Sequence, residues 1–320
     1  MMNKKQIQIG GQAVIEGVMM RGPKHLATAI RRKDNSIEIK KDSFESITTK
    51  IKFLGFPFIR GFTSLIEMMI IGFKTLNFSA SRAELDWQED EKETKEKSEG
   101  RKKVEEIFSY LFAFGLAFLL FAYLPYQLAD LMKLGKENIY FNLFAGVIRI
   151  IFFVLYVWII SKMKDVKTIF QYHGAEHKSV YAFEKGSSLK PEDVQQFSTL
   201  HPRCGTSFIF LVLLISILIF SIIDTLVARS FGVPHFLIRL LYHIPFLPLI
   251  SGISYEILKL SGKRIDHPLV KIITAPGLAL QRITTLPPDD KQIEVAVIAM
   301  KCAMEMDISE YKHAKIIEEN

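Results

Sequence analysis

Cysteine is scarce in this chain, with two residues, Cys204 and Cys302, among 320. That number excludes a disulfide framework and leaves any cysteine role to a free thiol or a metal ligand. The opening residues, MMNKKQIQIGGQAVIEG, have no continuous apolar core after their lysines and do not read as a secretory leader. Membrane insertion is therefore expected to rely on the first apolar helix of the chain. Interleaved aromatic and basic residues are missing too, so nucleic acid is not an expected partner. No internal repeat is visible at the periods of roughly 20 to 50 residues that mark solenoids.

What the chain has in plenty is apolar sequence, and its distribution matters more than its total. Hydrophobic residues make up 49% of the chain and fall in blocks. Four blocks reach the roughly 20 apolar residues needed to cross a bilayer: 107–132, 141–163, 207–228 and 235–260. The second carries Arg149, and the fourth carries Arg239, His243, Pro245 and Pro248. Those residues predict packing against other helices or the wall of a polar cavity. The fold class expected is an α-helical integral membrane protein with about four transmembrane helices, an amphipathic membrane-surface helix and a small cytosolic β-hairpin region at the N-terminus. Lysine and arginine crowd one set of loops, at Lys95, Lys97, Arg101, Lys102, Lys103, Lys162, Lys164, Lys167, Lys259, Lys263 and Arg264, against Lys133, Lys136 and Arg229 on the other. The positive-inside rule then puts both termini and the 164–206 loop in the cytoplasm. On this reading the net charge of +7 is mostly a collar facing membrane lipid.

The segments follow from composition. Residues 1–50 hold a glycine-rich loop, GGQAVIEGVMMRGP, and a hairpin turning at Lys33-Asp34-Asn35-Ser36. The glycines suggest a backbone that approaches something closely; the plainer reading is a hairpin turn with surface Glu16 and Arg21. In 51–85, Arg60, Glu67 and Lys74 recur every seven residues on one helical stripe. This helix is read as amphipathic and membrane-surface or re-entrant, with a helix in the core of the cytosolic part as the alternative. A charged linker occupies 86–106, and the spans fill 107–163 and 207–260. The tail, 261–320, is expected to break at prolines and then form a helix from about Pro288-Asp289-Asp290, buried through Ile293, Ala296, Val297 and Met300.

The chemistry gathers in 164–206. In QYHGAEHKSVYAFE, residues His173, Glu176 and His177 stand at i, i+3 and i+4 and share a helix face, with Glu184 seven residues beyond Glu176's neighbour His177 on the same stripe. Two imidazoles one turn apart can hold one divalent ion. HPRCGTSF offers His201 and Cys204 just before the third apolar block. His-x-x-Glu-His also matches an inverted zinc-peptidase motif, with the glutamate as base. The bland alternative is interfacial histidines bonded to carbonyls and a small buried cysteine. His25, His235, His243, His267 and His313 stand singly and are read as structural.

These motifs, with PGLALQRITTLPPDDKQIEVAVIAM, resemble the YqhQ-type family, domain-of-unknown-function family 1385, from Gly10 to about Ala303. The resemblance implies a bacterial multi-pass membrane protein, in the inner (plasma) membrane, of a group described as metal-dependent enzymes. It brings no reaction. One departure, Leu286 before Pro287 where relatives often have Glu, lies outside the proposed site.

The leading expectation is a membrane-embedded hydrolase with a cytosol-facing Zn²⁺ or other divalent ion. His173 and His177 bind it, His201 or Cys204 completes the set, and Glu176 is the base. Glu16 and Arg21 are further catalytic candidates, one as ligand or acid and the other holding an anion. The substrate would be membrane-associated: a protein segment, a lipid head group or a lipid-linked metabolite. The competing expectation is a non-catalytic scaffold or assembly factor that recruits a protein partner, with His173, His177, His201 and Cys204 closing a structural site. A transporter would rest on Arg149, Arg239 and His243 within the spans, with no inverted repeat behind it. Oligomeric state is not legible.

Overall fold

The computed structural model describes residues 9–90, 99–262 and 267–317. Residues 91–98 of the expected charged linker, the first eight residues, and Lys263 and Arg264 of the basic flank lie outside the described residues.

Residues expected as a glycine-rich loop are themselves a hairpin, Gly10–Val14 (β1) and Gly17–Arg21 (β2), closed by Ile15 and Glu16. Glu16 adopts a φ of 51°, a left-handed turn position that a non-glycine residue seldom takes. His25–Arg31 (β3) and Ile37–Ser43 (β4) continue the antiparallel sheet, with the turn at the expected place, where Asp34 accepts from the amide of Ser36 at 2.9 Å.

Helix Ile59–Asp90 (α1) follows. Of its expected stripe, Lys74 is exposed, whereas Glu67 is buried and accepts from Ser46 Oγ at 2.8 Å and the amide of Ile47 at 2.7 Å. Ile66, Met69, Ile70 and Phe73 of α1 are exposed.

The four apolar blocks become four helices long and apolar enough to cross a membrane: Ile107–Asp130 (α2), Ile139–Ile160 (α3), Gly205–Phe231 (α5) and Phe236–Ser261 (α6). Between α3 and α5 runs Lys164–Glu184 (α4). Most of the long apolar side chains on the four helices face outward, as expected where lipid replaces water. Helix α2 contains a π-helical segment, Leu119–Tyr123, before Pro125. Proline has no amide to give to Phe121, four residues back, and Arg149 Nε of α3 donates to that carbonyl instead at 2.7 Å. Arg60 of α1 makes a paired contact with Glu256 of α6 at 2.7 and 2.5 Å, beside the Gly61 and Gly252 crossing where a Cβ on Gly61 would lie 2.8 Å from the Gly252 Cα.

The tail differs from expectation. The stretch expected to break at prolines forms Pro268–Thr284 (α7), with Pro268 in the first turn, where a missing amide costs nothing, and Pro276 inside. Asp290–Ala303 (α8) begins with a capping box between Asp289 and Gln292. From Gln292 on it is buried on most of its surface, beyond the four residues expected, because it lies between β2 and β3 on one side and α4 on the other. Finally Ala314–Ile317 (β5) pairs parallel to β4, giving the sheet order β1-β2-β3-β4-β5. The main core is this layer, with Tyr172 and Ala175 of α4, Ile37 and Ile39 of β4, and Ile293, Val297 and Met300 of α8 in contact.

Candidate metal centre

Helix α4 starts a short turn after α3 ends and stops at Gly186, whose φ of 66° permits the closing turn in which Ser187 donates to the Ala182 carbonyl at 2.9 Å. Its middle is wedged between α8, β1 and the segment joining α7 to α8. Leu286 donates to the Phe170 carbonyl at 2.9 Å, and Gly174 leaves space for the Leu286 carbonyl. These contacts turn the face bearing His173, Glu176 and His177 toward the start of α5, where Cys204 is the N-cap and its sulfur accepts from the amide of Thr206 at 3.4 Å.

Three ligand atoms, one each from His173, His177 and Cys204, lie within 4.8 Å of one another. His173 bonds the Thr284 carbonyl through Nδ1 at 2.8 Å, and His177 bonds the Thr199 carbonyl through Nδ1. A carbonyl only accepts, so each Nδ1 carries the proton and each Nε2 presents a lone pair. His173 Nε2 is 3.2 Å from Cys204 Sγ. Zinc-binding histidines are generally held in this way, with the second nitrogen donating to a carbonyl or carboxylate. The residues fit such an ion in donor type, tautomer and spacing.

Glu176 is buried beside them, its Oε2 at 3.6 Å from His177 Nε2 and 3.9 Å from His173 Nε2. Burial raises its proton affinity above the usual carboxylate range, opposed by the two nearby imidazoles His173 and His201 and by the backbone amide of Gly11. Burial moves all three histidines the other way, below their ordinary 6.5, so the imidazoles are neutral at pH 7. Neutral imidazole is the metal-binding form.

The other sequence candidates fall elsewhere. His201 is buried next to the cluster, its ring centroid 5.7 Å from that of His177, but its Nε2 is 3.6 Å from Glu184 Oε2, and its Nδ1 accepts from the Arg203 amide at 3.3 Å. Glu184 in turn pairs with Arg203. Glu16 is on the exposed β1–β2 turn toward the N-terminal end of α4, with Tyr172 Oη 3.5 Å from its carboxylate. Arg21 lies over the Phe44 ring, 5.3 Å from its centroid, with Nη1 3.2 Å from Met68 Sδ of α1. The sequence reading gave no weight to Gln281, which is fully buried and holds the His201 backbone from both sides: Oε1 accepts from its amide at 2.8 Å and Nε2 donates to its carbonyl at 2.9 Å. It also missed Lys178, buried and donating to the carbonyls of Gln195 at 2.5 Å and Phe197 at 2.6 Å, which anchors the loop carrying Thr199. A glutamine inside an apolar helix and a lysine one residue from the second histidine were the available signals.

The class defined by these features is a mostly helical protein with four helices of membrane-crossing length, joined to a terminal sheet and carrying a buried His-His-Cys cluster. Residues 56–306 match the family described as Protein of unknown function (DUF1385). The chain is also similar to the Uncharacterized protein YqhQ of Bacillus subtilis (strain 168), with 34% identity over 299 residues, covering 90% of this chain and 89% of that protein. The chain belongs to the DUF1385 family. No solved structure matches it.

Proposed function

We propose that the chain is a membrane-embedded zinc-dependent hydrolase whose site faces the cytosol and acts on a membrane-associated substrate. The observation that carries this reading is the tautomer lock: both Nδ1 atoms are spent on carbonyls, so both Nε2 atoms converge with Cys204 Sγ while Glu176 stands beside them. Three protein ligands are typical of catalytic zinc, which keeps a fourth position for water or substrate. Zinc held there would supply a water of pKa near 7 and polarise the scissile carbonyl or phosphoryl group. Glu176 Oε2 takes the proton from the attacking water and returns it to the leaving group. Its raised proton affinity suits that exchange near neutral pH. Neutral His173 and His177 keep the proton count of the ligands fixed while this happens.

The location supports the substrate class. Cys204 caps α5 and α4 begins directly after α3, so the cluster sits where two membrane-length helices end. A lipid head group, a lipid-linked metabolite or a juxtamembrane protein segment would reach it. The basic collar of the same loops supports cytoplasmic termini and a bacterial inner-membrane location.

The rival reading, a scaffold with structural zinc, is favoured by one observation, the proximity of His201 to His177. A fourth protein ligand would close the site. Glu176→Gln separates the two. The hydrolase reading expects detergent-purified E176Q to keep one zinc per chain and normal abundance while failing to complement a deletion strain. Full complementation at normal protein level would reject it in favour of the scaffold.

A further inference from the structure

A second polar cluster lies inside the bundle of α2, α3, α5 and α6. Asp224 of α5 is twenty residues beyond Cys204, which places it about 30 Å along the same helix from the zinc-ligand cluster. Its carboxylate accepts from Arg239, from Tyr242 Oη at 2.5 Å and from His243 Nε2 at 2.7 Å. Arg239 also donates to Asn142 Oδ1, and Asn142 Nδ2 donates to Thr225 Oγ1 at 3.2 Å. The His243 ring is stacked on Phe220 with centroids 3.9 Å apart. Asp224 is therefore a fully used carboxylate, and its charge is balanced by Arg239.

Arg149 is left over. Its Nε caps the Phe121 carbonyl, and its two terminal nitrogens have no hydrogen-bond partner among the described residues. It lines, together with Asn142, Asp224, Arg239 and His243, a cavity of about 40 Å³. Two guanidinium groups set against one carboxylate leave this cavity with an excess of positive charge. An unpaired cation among apolar helices costs several kcal/mol unless a counter-charge joins it. A cavity of that volume holds about three water-sized bodies. It can take a halide with its water or the oxygens of a carboxylate or phosphate group, and it is too small for a nucleotide or a sugar.

We infer that this cavity is an anion-binding site, in which the terminal nitrogens of Arg149 hold a singly charged anionic group beside the Asp224–Arg239 pair, at the end of the bundle opposite the His-His-Cys cluster. The planar fork of Arg149 offers two parallel donors to such a group. Asp224 sets the limit on charge, since its carboxylate leaves room for one negative group and repels a second. The anion has two possible sources, a free ion or the head group of an anionic lipid, and both present the same chemistry to Arg149. The inference is independent of zinc and of Glu176.

The test uses the full-length protein in neutral detergent at constant ionic strength. Chloride or formate is exchanged for gluconate, which is too large to enter, and the melting temperature is measured. A ligand at several times its Kd raises the melting temperature by roughly 1–2 °C in a chain of this size. That rise in the native protein, and its loss in Arg149→Gln, is the expected result for a free ion. If small anions have no effect, the protein is compared in bilayer discs of phosphatidylglycerol and of phosphatidylcholine. An Arg149-dependent rise in the first identifies a head group as the source. Arg149→Lys, which keeps the charge and loses the fork, covers the case in which the glutamine variant fails to fold, and is expected to bind more weakly. Equal melting temperatures in chloride, formate, gluconate and both lipids, or an equal rise in the native and variant proteins, would overturn the inference and leave a cavity filled with water.

Discussion

Gly11, in the first strand, lies directly against the side chain of Glu176, in the middle of α4. The strand can come this close because residue 11 has no side chain: a Cβ there would lie 2.6 Å from the Met19 carbonyl oxygen and 2.8 Å from Glu176 Cγ. Backbone on one side and a buried side chain on the other leave little freedom to yield. Gly11→Ala should therefore push β1 off α4, destabilise the protein by about 1–3 kcal/mol and lower its melting temperature. Thermal unfolding of the variant checks this. An unchanged melting temperature would mean that the strand does not press on the helix.

The proposed zinc ligands should be separable from their neighbour. His173→Ala, His177→Ala and Cys204→Ser each remove one of three ligand atoms and should weaken zinc binding at least ~100-fold. His201→Ala should keep its zinc, because that ring is turned toward Glu184. Metal content per chain after detergent purification is the measurement. Zinc lost from the His201 variant alone would reverse the assignment.

Acid should destabilise the metal-free protein through the same residues. Burial holds His173, His177 and His201 below 6.5, so between pH 6.5 and their folded values the unfolded chain binds more protons. Their contribution to stability is full above pH 6.5 and is lost as the pH falls. Glu176 works against them, since its raised value makes the folded state the better proton binder above 4.5, a contribution lost as pH rises. The metal-free protein should melt at lower temperature at pH 5.5 than at pH 7, and Glu176→Gln should steepen that slope. A slope unchanged in the glutamine variant would show that the carboxyl does not titrate in this window.

Topology is open to labelling of intact cells. A cysteine placed at Lys136, between α2 and α3, should react with a maleimide that cannot cross the membrane, and one placed at Lys185, after α4, should not. The reverse pattern would put the His-His-Cys cluster outside the cell.

The helices and the members of the cluster were legible because their signals are local. Apolar runs of membrane length name themselves, and His173, Glu176 and His177 share a face by spacing alone. What fixes their direction was not legible. The carbonyls of Thr284 and Thr199 and the amide of Gly11 are backbone groups, and Thr284 is 111 residues from the histidine it orients. Glu16 and Arg21 share a motif with Gly11, yet a tight turn and strand geometry send them to Tyr172 and Met68. Strand β5 escaped notice because its middle residues are exposed and it pairs with a strand near the other end of the chain. Asp224, an acidic residue inside an apolar run, is explained only by the arginine, tyrosine and histidine that α6 brings to it.

The parallel pairing of β5 on β4, with α8 filling the space between sheet and α4, has a consequence for biosynthesis. Strands β1 to β4 leave the ribosome first and can pair locally, but the apolar face they present stays uncovered until α8 has been made about 250 residues later. Throughout the synthesis of all four membrane-length helices, the nascent chain carries a half-built domain with a sticky face. The oxygen of Thr284 that aligns His173 arrives in that same late stretch, so the His-His-Cys cluster cannot take its geometry until those residues have been made.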